Sequence, residues 1–160
     1  MIISYKKLKP VEKKLIDAAE TARELAYNPY SHFYVGAALL SSKGKIITGS
    51  NVENASYGLA ICGERAAFIR ANALGIRSFT KIGISSRGET YDLKDPSLPC
   101  GACRQWINEF SQISGNDIEI ISASTDKSKI IKILISKLLP KAFGPLDLNL
   151  EINKLKHFPK

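Results

Sequence analysis

The sequence predicts an α/β fold with a five-stranded mixed sheet, and this prediction depends on three observations. Five short apolar segments have the length and composition of strands, and longer segments between them carry helical periodicity. Interleaved strands and helices are typical of α/β layer structures. The chain has 160 residues, of which 44% are hydrophobic, and no repeat or linker divides it. We therefore expect one domain over residues 1–160, with a basic C-terminal tail at about residues 149–160.

The helices are predicted from apolar stripes and from the positions of proline. In residues 11–27, apolar side chains recur at intervals of three and four, and Pro29 then ends the pattern. Residues 61–74 form a second helical segment without proline. Pro99 suits a helix start, so a third helix is expected from Cys100 onward. Both cysteine-containing segments thus fall at helix beginnings.

The strands are predicted at residues 33–40, 45–48, 80–85, 117–122 and 129–135. The turn Ser41-Ser42-Lys43-Gly44 joins the first two, which predicts an antiparallel pair. Helices separate later strands, so the sheet is expected to be mixed.

The charge and composition exclude several classes of protein. A net charge of +8 invites a nucleic-acid interpretation, but the lysines gather near the two chain ends without aromatic residues at stacking spacing. This pattern favours a solvated surface, and we expect no nucleic-acid partner. No apolar run approaches the ~20 residues of a membrane span, and the opening residues have no apolar run long enough for a signal peptide, so we expect no membrane partner. The odd number of cysteines fits a reducing compartment, which predicts a cytoplasmic location.

The three cysteines, Cys62, Cys100 and Cys103, predict a metal site. Cys100 and Cys103 lie three residues apart on one predicted helix and can bind one ion together, whereas Cys62 must come from another helix. Three thiolates hold a zinc ion but leave its fourth position for water, as in catalytic sites. Helix N-termini favour thiolates and support this placement. The alternatives are a redox C-x-x-C pair, which leaves Cys62 unexplained, and a structural zinc site, which lacks a fourth ligand.

Charged residues beside the cysteines extend this prediction. Three thiolates around Zn²⁺ leave a net negative charge that opposes ionisation of a bound water, so a positive group is expected nearby. Arg65 and Arg104 each follow a cysteine motif, and we select Arg65 as the donor to the thiolates; an ordinary surface ion pair is the alternative. Glu64 is not needed as a ligand, and its position beside Cys62 fits a proton shuttle.

Further motifs occur in order along residues 18–148. They are Asn28-Pro29-Tyr30-Ser31-His32-Phe33, Val35-Gly36-Ala37-Ala38-Leu39, Gly49-Ser50-Asn51-Val52-Glu53-Asn54-Ala55-Ser56-Tyr57, Ile61-Cys62-Gly63-Glu64-Arg65, Pro99-Cys100-Gly101-Ala102-Cys103-Arg104-Gln105 and Leu138-Leu139-Pro140-Lys141-Ala142-Phe143-Gly144-Pro145. With these motifs the chain resembles the zinc-dependent cytidine deaminases, specifically the small homotetrameric type that uses three cysteines. The resemblance implies a three-layer α/β/α fold and one zinc ion per subunit, held by the three cysteines.

The resemblance also implies an activity: hydrolytic deamination of cytidine and 2′-deoxycytidine to uridine and 2′-deoxyuridine, with release of ammonia, in pyrimidine salvage. Glu64 is implied to take a proton from the attacking water and to return it to N3 of the base and then to the leaving amine. The implied partners are a small nucleoside substrate and three further copies of the chain.

Four of the implied substrate-binding residues would act within one chain. Phe33 corresponds to the aromatic residue that stacks on the pyrimidine, and Asn51 with Glu53 to the ribose-binding pair. The backbone at Gly63 corresponds to a substrate contact, and relatives often have alanine there. From the residues alone, Phe33 also fits a core aromatic, and Asn51 also fits a turn residue that bonds to backbone.

Three other residues correspond to positions that reach a neighbouring subunit's site: Ala55, Tyr57 and Phe143. If these correspondences hold, the active site is assembled across subunits, and dissociation abolishes activity.

Two alternative functions remain open. The first is an enzyme that shares the zinc core and acts on another aminopyrimidine, such as blasticidin S, but Glu53 favours a nucleoside substrate. A carboxylate near the 3′-hydroxyl would also repel a phosphate there, which excludes polynucleotides. The other is a basic nucleic-acid-binding protein with a zinc module, which predicts arginines around the pocket and a steep salt dependence of binding.

Overall fold

Six strands form one sheet in the computed structural model, which describes residues 2–158. In chain order they are β1 (Ile2–Ile3), β2 (Phe33–Ser41), β3 (Ile46–Ser50), β4 (Phe79–Gly88), β5 (Glu119–Ala123) and β6 (Ile130–Leu134). Their order across the sheet is β1-β6-β5-β4-β2-β3. Strands β4 and β5 are parallel, and the other neighbouring pairs are antiparallel. The predicted α/β class with a mixed sheet is confirmed.

The α-helices in residues 2–158 are α1 (Pro10–Arg23), α2 (Gly63–Ala73), α3 (Gly101–Ser114), α4 (Ile135–Leu138) and α5 (Ile152–Lys156). Short 3-10 helices lie at Tyr5–Lys7, Tyr57–Leu59 and Pro145–Leu148. Within the described residues, every helix is too short or too polar to cross a membrane.

The prediction of five strands is wrong, because the sheet has a sixth strand, β1. Ile2 and Ile3 pair antiparallel with Ile131 and Ile130 of β6. A two-residue strand has no alternating pattern of its own, so only its partner far along the chain makes it a strand.

The first helix is predicted to extend to residue 27, but it ends at Arg23. The backbone N–H of Tyr27 donates to the carbonyl of Asn51 at 3.0 Å, and the N–H of Glu53 donates to the carbonyl of Tyr27 at 2.8 Å. Pairing with this distant segment replaces the last helical turn, since tertiary contacts override a local preference for helix. The same pairing positions the segment that carries Asn51 and Glu53.

Alternate side chains of β2 pack against different helices. Ala37 and Leu39 belong to the main hydrophobic core, together with Phe68 of α2. Ala38 points to the other face of the strand and packs in a second cluster with Leu15 of α1. Both faces of this interior strand are therefore covered by helices.

A glycine allows α2 to lie close to the sheet. A Cβ atom at Gly49 of β3 would be only 2.3 Å from the backbone nitrogen of Ala67 in α2. No residue with a side chain fits this approach without moving the helix. Gly49 therefore helps to set the position of α2, whose first turn carries the candidate catalytic residues.

The C-terminal segment, expected to be a basic tail, contains the short helix α5, which packs against α3. Leu155 of α5 also packs against the main core. Three residues of the expected domain over 1–160, namely Met1, Pro159 and Lys160, lie outside the described residues.

Candidate active site

The two cysteine motifs lie where α2 and α3 begin. Cys62 immediately precedes α2, and its carbonyl accepts the N–H of Ala66 at 3.0 Å. Cys100 immediately precedes α3, and its carbonyl accepts the N–H of Arg104 at 2.9 Å. The prediction that both motifs fall at helix beginnings is confirmed. Each helix start contributes unpaired N–H groups and a partial positive charge, which favour thiolates.

The three thiols converge on one point. The sulfur atoms of Cys62, Cys100 and Cys103 all lie within 4.8 Å of one another. The Cys100 and Cys103 sulfurs are 3.6 Å apart, close to the ~3.8 Å between two thiolates that share a tetrahedral zinc at 2.3 Å. Cys103 is buried, Cys62 is half-buried and Cys100 is exposed, so the cluster has an open side. Spacing and donor type therefore fit a zinc ion.

Local contacts stabilise the charged form of one thiol. The pKa of Cys62 is lowered to about 5, chiefly by a hydrogen bond with Cys103. Burial raises this pKa, but the hydrogen bond and the positive charge of Arg65 add to the lowering and outweigh burial. The Arg65 Nη2 atom lies 3.8 Å from the Cys62 sulfur and donates to the carbonyl of Ala60 at 2.9 Å. A thiolate is the form of cysteine that binds metals. The arginine selected from the sequence thus contacts a thiol directly.

Arg104, the other arginine considered, has different partners. Its Nε atom donates to the carbonyl of Pro99 at 2.8 Å, and its Nη1 atom donates to the carbonyl of Leu138 at 3.1 Å. Arg104 therefore ties the loop before Cys100 to the end of α4.

Glu64 lies in the first turn of α2 and is only 5% exposed. Its burial raises the pKa of its carboxyl group, and the charge of neighbouring Cys62 acts in the same direction. The side chain borders the same cavity as Cys62 and Cys100. A carboxyl group with a raised pKa next to a metal site is suited to taking up a proton and releasing it again.

One cavity of about 340 Å³ brings most of the sequence-predicted residues together. Residues from both the predicted metal site and the predicted nucleoside site border it: Phe33, Asn51, Glu53, Cys62, Glu64 and Cys100. Its size is in the range of small-ligand sites. Cys103 lies behind this wall in the thiol cluster.

Asn51 and Glu53 are held by backbone contacts. The Asn51 side chain accepts the N–H of Val35 at 2.8 Å and donates to the carbonyl of Phe33 at 2.9 Å. One oxygen of Glu53, Oε2, accepts the N–H groups of Tyr30 and Ser31 at 2.9 and 3.2 Å. Burial would raise the pKa of Glu53, but these hydrogen bonds lower it, so the carboxylate stays ionised. Asn51 therefore has the backbone-bonding role that the sequence left open, and Glu53 keeps one oxygen for another donor.

Gly63 is packed closely against β2. A Cβ atom at this position would lie 2.8 Å from the carbonyl oxygen of Val35 and 3.3 Å from its Cγ1 atom. In this chain, the space that an alanine methyl group would occupy is filled by β2. Gly63 is buried, and it is not among the residues that border the cavity.

Tyr57, Ala55 and Phe143 lie outside this cavity in the single chain. Tyr57 borders an adjacent cavity of about 260 Å³ that shares Glu53 with the first. Ala55 is exposed, and Phe143 is 62% exposed. The carbonyl of Phe143 accepts the side-chain amide of Gln105 at 2.8 Å, which anchors its segment to α3.

Sequence reasoning missed part of the cavity wall, namely Ile84 of β4 and Ser97 in the loop before α3. Ser97 is fixed by a hydrogen bond between its hydroxyl and that of Ser86, and its carbonyl accepts the hydroxyl of Ser122. The only available signal was the closeness of Ser97 and the adjacent Leu98 to Cys100 along the chain.

The fold and the site define a class, an α/β enzyme with a three-thiolate zinc site and a buried carboxyl group beside it. Comparison with known proteins specifies the class further. The model of the family described as "Cytidine and deoxycytidylate deaminase zinc-binding region" matches residues 9–115. The chain belongs to this family.

Individual relatives cover most of the chain. A probable cytidine deaminase of Dictyostelium discoideum is 48% identical over 137 residues, which are 85% of this chain and 86% of the relative. The cytidine deaminase of Sporosarcina psychrophila is 42% identical over 137 residues, 86% and 94% of the two chains. The crystal structure of cytidine deaminase from Burkholderia pseudomallei has a TM-score of 0.72 at 42% identity and covers 81% of this chain and 97% of that one. The predicted deaminase class and the zinc cofactor are confirmed.

Proposed function

We propose that this protein deaminates cytidine and 2′-deoxycytidine by hydrolysis, producing uridine or 2′-deoxyuridine and ammonia, as a step of pyrimidine salvage. The observation that carries the proposal is the single cavity bordered by Glu64, two of the clustered thiols and Glu53. The names of the relatives support the same activity.

The zinc ligands in this proposal are Cys62, Cys100 and Cys103. Bound zinc supplies Lewis-acid chemistry, since it lowers the pKa of a water molecule and so provides a nucleophile at neutral pH. Arg65 donates toward Cys62 and offsets the surplus negative charge of three thiolates. The two helix starts act in the same direction.

Glu64 moves the protons of the reaction. It takes one proton from the attacking water and delivers it to N3 of the base. It then takes the second proton from the new hydroxyl group at C4 and passes it to the amine, which leaves as ammonia while the C4 carbonyl forms. Its near-complete burial at the cavity wall supports this role, because a carboxyl group shielded from bulk water exchanges protons with the substrate rather than with solvent.

The substrate is oriented by residues along the same cavity. Phe33 provides an aromatic face for the pyrimidine, and the free oxygen of Glu53 accepts a ribose hydroxyl. Asn51 acts with Glu53 and also fixes the start of β2 through its two backbone contacts. Gly63 is assigned a backbone contact with the base by the resemblance alone, and in the single chain it is buried against Val35.

We also propose a homotetramer with shared sites. Tyr57 and Phe143 are 74% and 62% exposed, and large apolar side chains left exposed in this way mark interaction surfaces. In the assembly these two residues and Ala55 would complete the site of a neighbouring subunit. Mixing subunits tests this arrangement. Hybrids of inactive Glu64→Gln chains and weakened Phe143→Ala chains should regain activity, because one chain supplies the carboxyl group and the other the aromatic ring.

The hybrid experiment has a matched control. Phe158→Ala changes another exposed aromatic residue, which is 65% exposed, and should leave activity intact. If the activity of the hybrids is no greater than the activity of the Phe143→Ala chains that they contain, the result would contradict a shared site.

The proposal also includes the domain organisation, the layering of the fold and the cellular location. The chain is one domain over residues 1–160, supported by one sheet that includes strands from Ile2 to Leu134. The layers are α/β/α, supported by the separate clusters on the two faces of β2. The location is the cytoplasm, supported by a site that needs three reduced cysteines.

A direct assay tests the proposed activity. Zinc per chain is measured, and the change in ultraviolet absorbance is followed with cytidine, 2′-deoxycytidine, cytosine and CMP. We expect about one zinc per chain and turnover of the two nucleosides, with cytosine and CMP poor substrates. A zinc-loaded protein that is inert toward both nucleosides, or that prefers CMP, would overturn the proposal.

A further inference from the structure

A second cavity of about 340 Å³ lies at the far end of β2 from the candidate active site. It is bordered by the turn between β2 and β3 at residues 41–45, by residues 75–78 after α2, and by the end of α5. Phe33 at the start of β2 borders the active-site cavity, and Ser41 at its end borders this one. Because a strand rises about 3.3 Å per residue, the two cavities are roughly 25 Å apart.

The lining of this cavity is strongly basic. Five residues that carry or can carry positive charge border it: Lys43, Lys45, Arg77, Lys156 and His157. No acidic residue is among its lining residues, and no salt bridge within residues 2–158 involves any of the five. Arg77 uses only its Nε atom, which donates to Asn72 Oδ1 at 3.0 Å, so its terminal N–H groups remain available.

Several cationic side chains elsewhere on this protein do have acidic partners. Lys127 pairs with Asp17 at 3.1 Å, and Lys132 pairs with Glu12 at 2.8 Å. Like charges that converge without an acidic partner repel one another, and an anion between them removes this repulsion. Because five basic residues border one cavity and no acidic residue does, a bound anion would supply the missing negative charge.

We propose that this cavity binds the diphosphate or triphosphate group of a small molecule. A single phosphate carries too little charge to neutralise four permanent cations, whereas condensed phosphates carry more. The hydroxyl groups of Ser42 and Ser78 hydrogen-bond to each other at 2.7 Å, and the second of their two O–H groups supplies a further donor at the cavity. The guanidinium of Arg77 can bind phosphate oxygens with two parallel N–H groups. The site uses neither the zinc cluster nor the nucleoside cavity, so it does not depend on the proposed activity.

Part of this site comes from the C-terminal segment. Lys156 and His157 border the cavity at the end of α5, and α5 is held in place by packing against α3 and by Leu155 in the core. The basic tail thus has a specific role in this proposal, because it closes one side of an anion site.

Calorimetric titration of the zinc-loaded protein tests the proposal in about 50 mM salt, a condition that limits screening. Inorganic tripolyphosphate should bind at least tenfold more tightly than orthophosphate. ATP in a parallel titration distinguishes the sources: tighter binding of ATP assigns the site to a nucleotide, and equal binding assigns it to the phosphate chain alone. Failure of both to bind would overturn the proposal.

Paired variants separate a site from general charge attraction. Lys43→Gln combined with Arg77→Gln should weaken tripolyphosphate binding at least tenfold. The matched control, Lys129→Gln combined with Lys154→Gln, removes the same charge from exposed pairs with Asp95 and Glu151 and should retain binding. Lys43→Gln combined with Lys45→Gln changes only exposed side chains and replaces the first variant if that one does not fold. Equal losses of binding in the test and control variants would overturn the proposed site. Undiminished binding heat in the cavity variants would also overturn it, because the heat would then come from chelation of the protein's zinc by tripolyphosphate.

Discussion

Glu12 and Glu64 are both almost fully buried, with 1% and 5% of their surface exposed, and both lie in the first turn of a helix. Their surroundings are opposite. Glu12 accepts a hydrogen bond from Lys132 at 2.8 Å and another from the backbone N–H of Lys9 at 3.0 Å, and it lies 3.2 Å from Lys81. Glu64 borders a cavity and has the Cys62 thiol beside it.

The two environments move the pKa values in opposite directions. Burial alone raises the pKa of a carboxyl group, but the contacts of Glu12 with Lys132, Lys9 and Lys81 outweigh it and lower the pKa of Glu12 to about 2. At Glu64 burial prevails, and the pKa is raised. A compensated carboxylate is a permanent charge that stabilises the fold, whereas an uncompensated one is able to carry a proton. The comparison thus separates a structural glutamate from the one for which we propose a catalytic role.

Glu64→Gln should have the largest effect, a loss of about 10³-fold or more in kcat, because the amide cannot move a proton. Zinc content and melting temperature should stay near those of the parent protein, since the three thiols and the packing are unchanged. Steady-state kinetics with metal analysis on the same preparation checks both expectations. A kcat within tenfold of the parent would remove Glu64 from the mechanism.

Glu12→Gln should have the reverse pattern, a large loss of stability with little change in kcat. The substitution removes the buried partner of Lys81 and Lys132 and leaves them only Glu119, which costs about 3 kcal/mol in the free energy of unfolding. Urea unfolding measures this loss. Asp95→Asn, which removes the exposed partner of Lys129, is the control and should cost less than about 0.5 kcal/mol. If the two variants lose the same amount, Glu12 does not have the structural role described above.

Acid pH should reduce the difference in stability between the parent protein and Glu12→Gln. The pKa of Glu12 falls from its usual 4.5 to about 2 on folding, so the folded state binds fewer protons than the unfolded state between these values. Its contribution to stability, about 3 kcal/mol, is complete above pH 4.5 and is lost as the pH falls toward 2. Unfolding free energies at pH 7 and pH 3 check this, and a constant difference between the two proteins would contradict it.

Glu53→Gln extends the comparison of Glu12 and Glu64 to a third carboxylate. Glu53 is half-buried and accepts hydrogen bonds from backbone N–H groups. The change should raise KM for cytidine by roughly tenfold, because a charged acceptor for a ribose hydroxyl is lost. Turnover of free cytosine, which has no ribose, serves as the internal control and should not change. Equal effects on cytidine and cytosine would show that Glu53 does not contact the sugar.

Local patterns were sufficient to predict much of this fold. Pro99 before Cys100, and the proline-free segment after Ile61, placed both cysteine motifs at helix starts. Capping and proline rules act within a few residues, so they can be read without knowing the fold. β1 escaped prediction for the opposite reason, since two residues become a strand only through their pairing with β6.

The candidate site was predictable to a similar extent. The cysteines and Glu64 are adjacent in motifs, whereas Ser97 and Ile84 reach the cavity only through the path of a loop and the register of β4. Glu12 gave no signal at all, because a glutamate followed by Lys13 and Lys14 in an amphipathic helix looks like part of a solvated face.

The sequence by itself determined the donor set of the metal site, the helices that present it and the family of the chain, because these depend on residue types at short spacing. Only the tertiary structure decided that three thiols meet within 4.8 Å, that Glu12 is compensated while Glu64 is not, and that a basic cavity includes the end of α5. These features depend on contacts between residues far apart in the chain, and burial and charge compensation exist only once those contacts have formed.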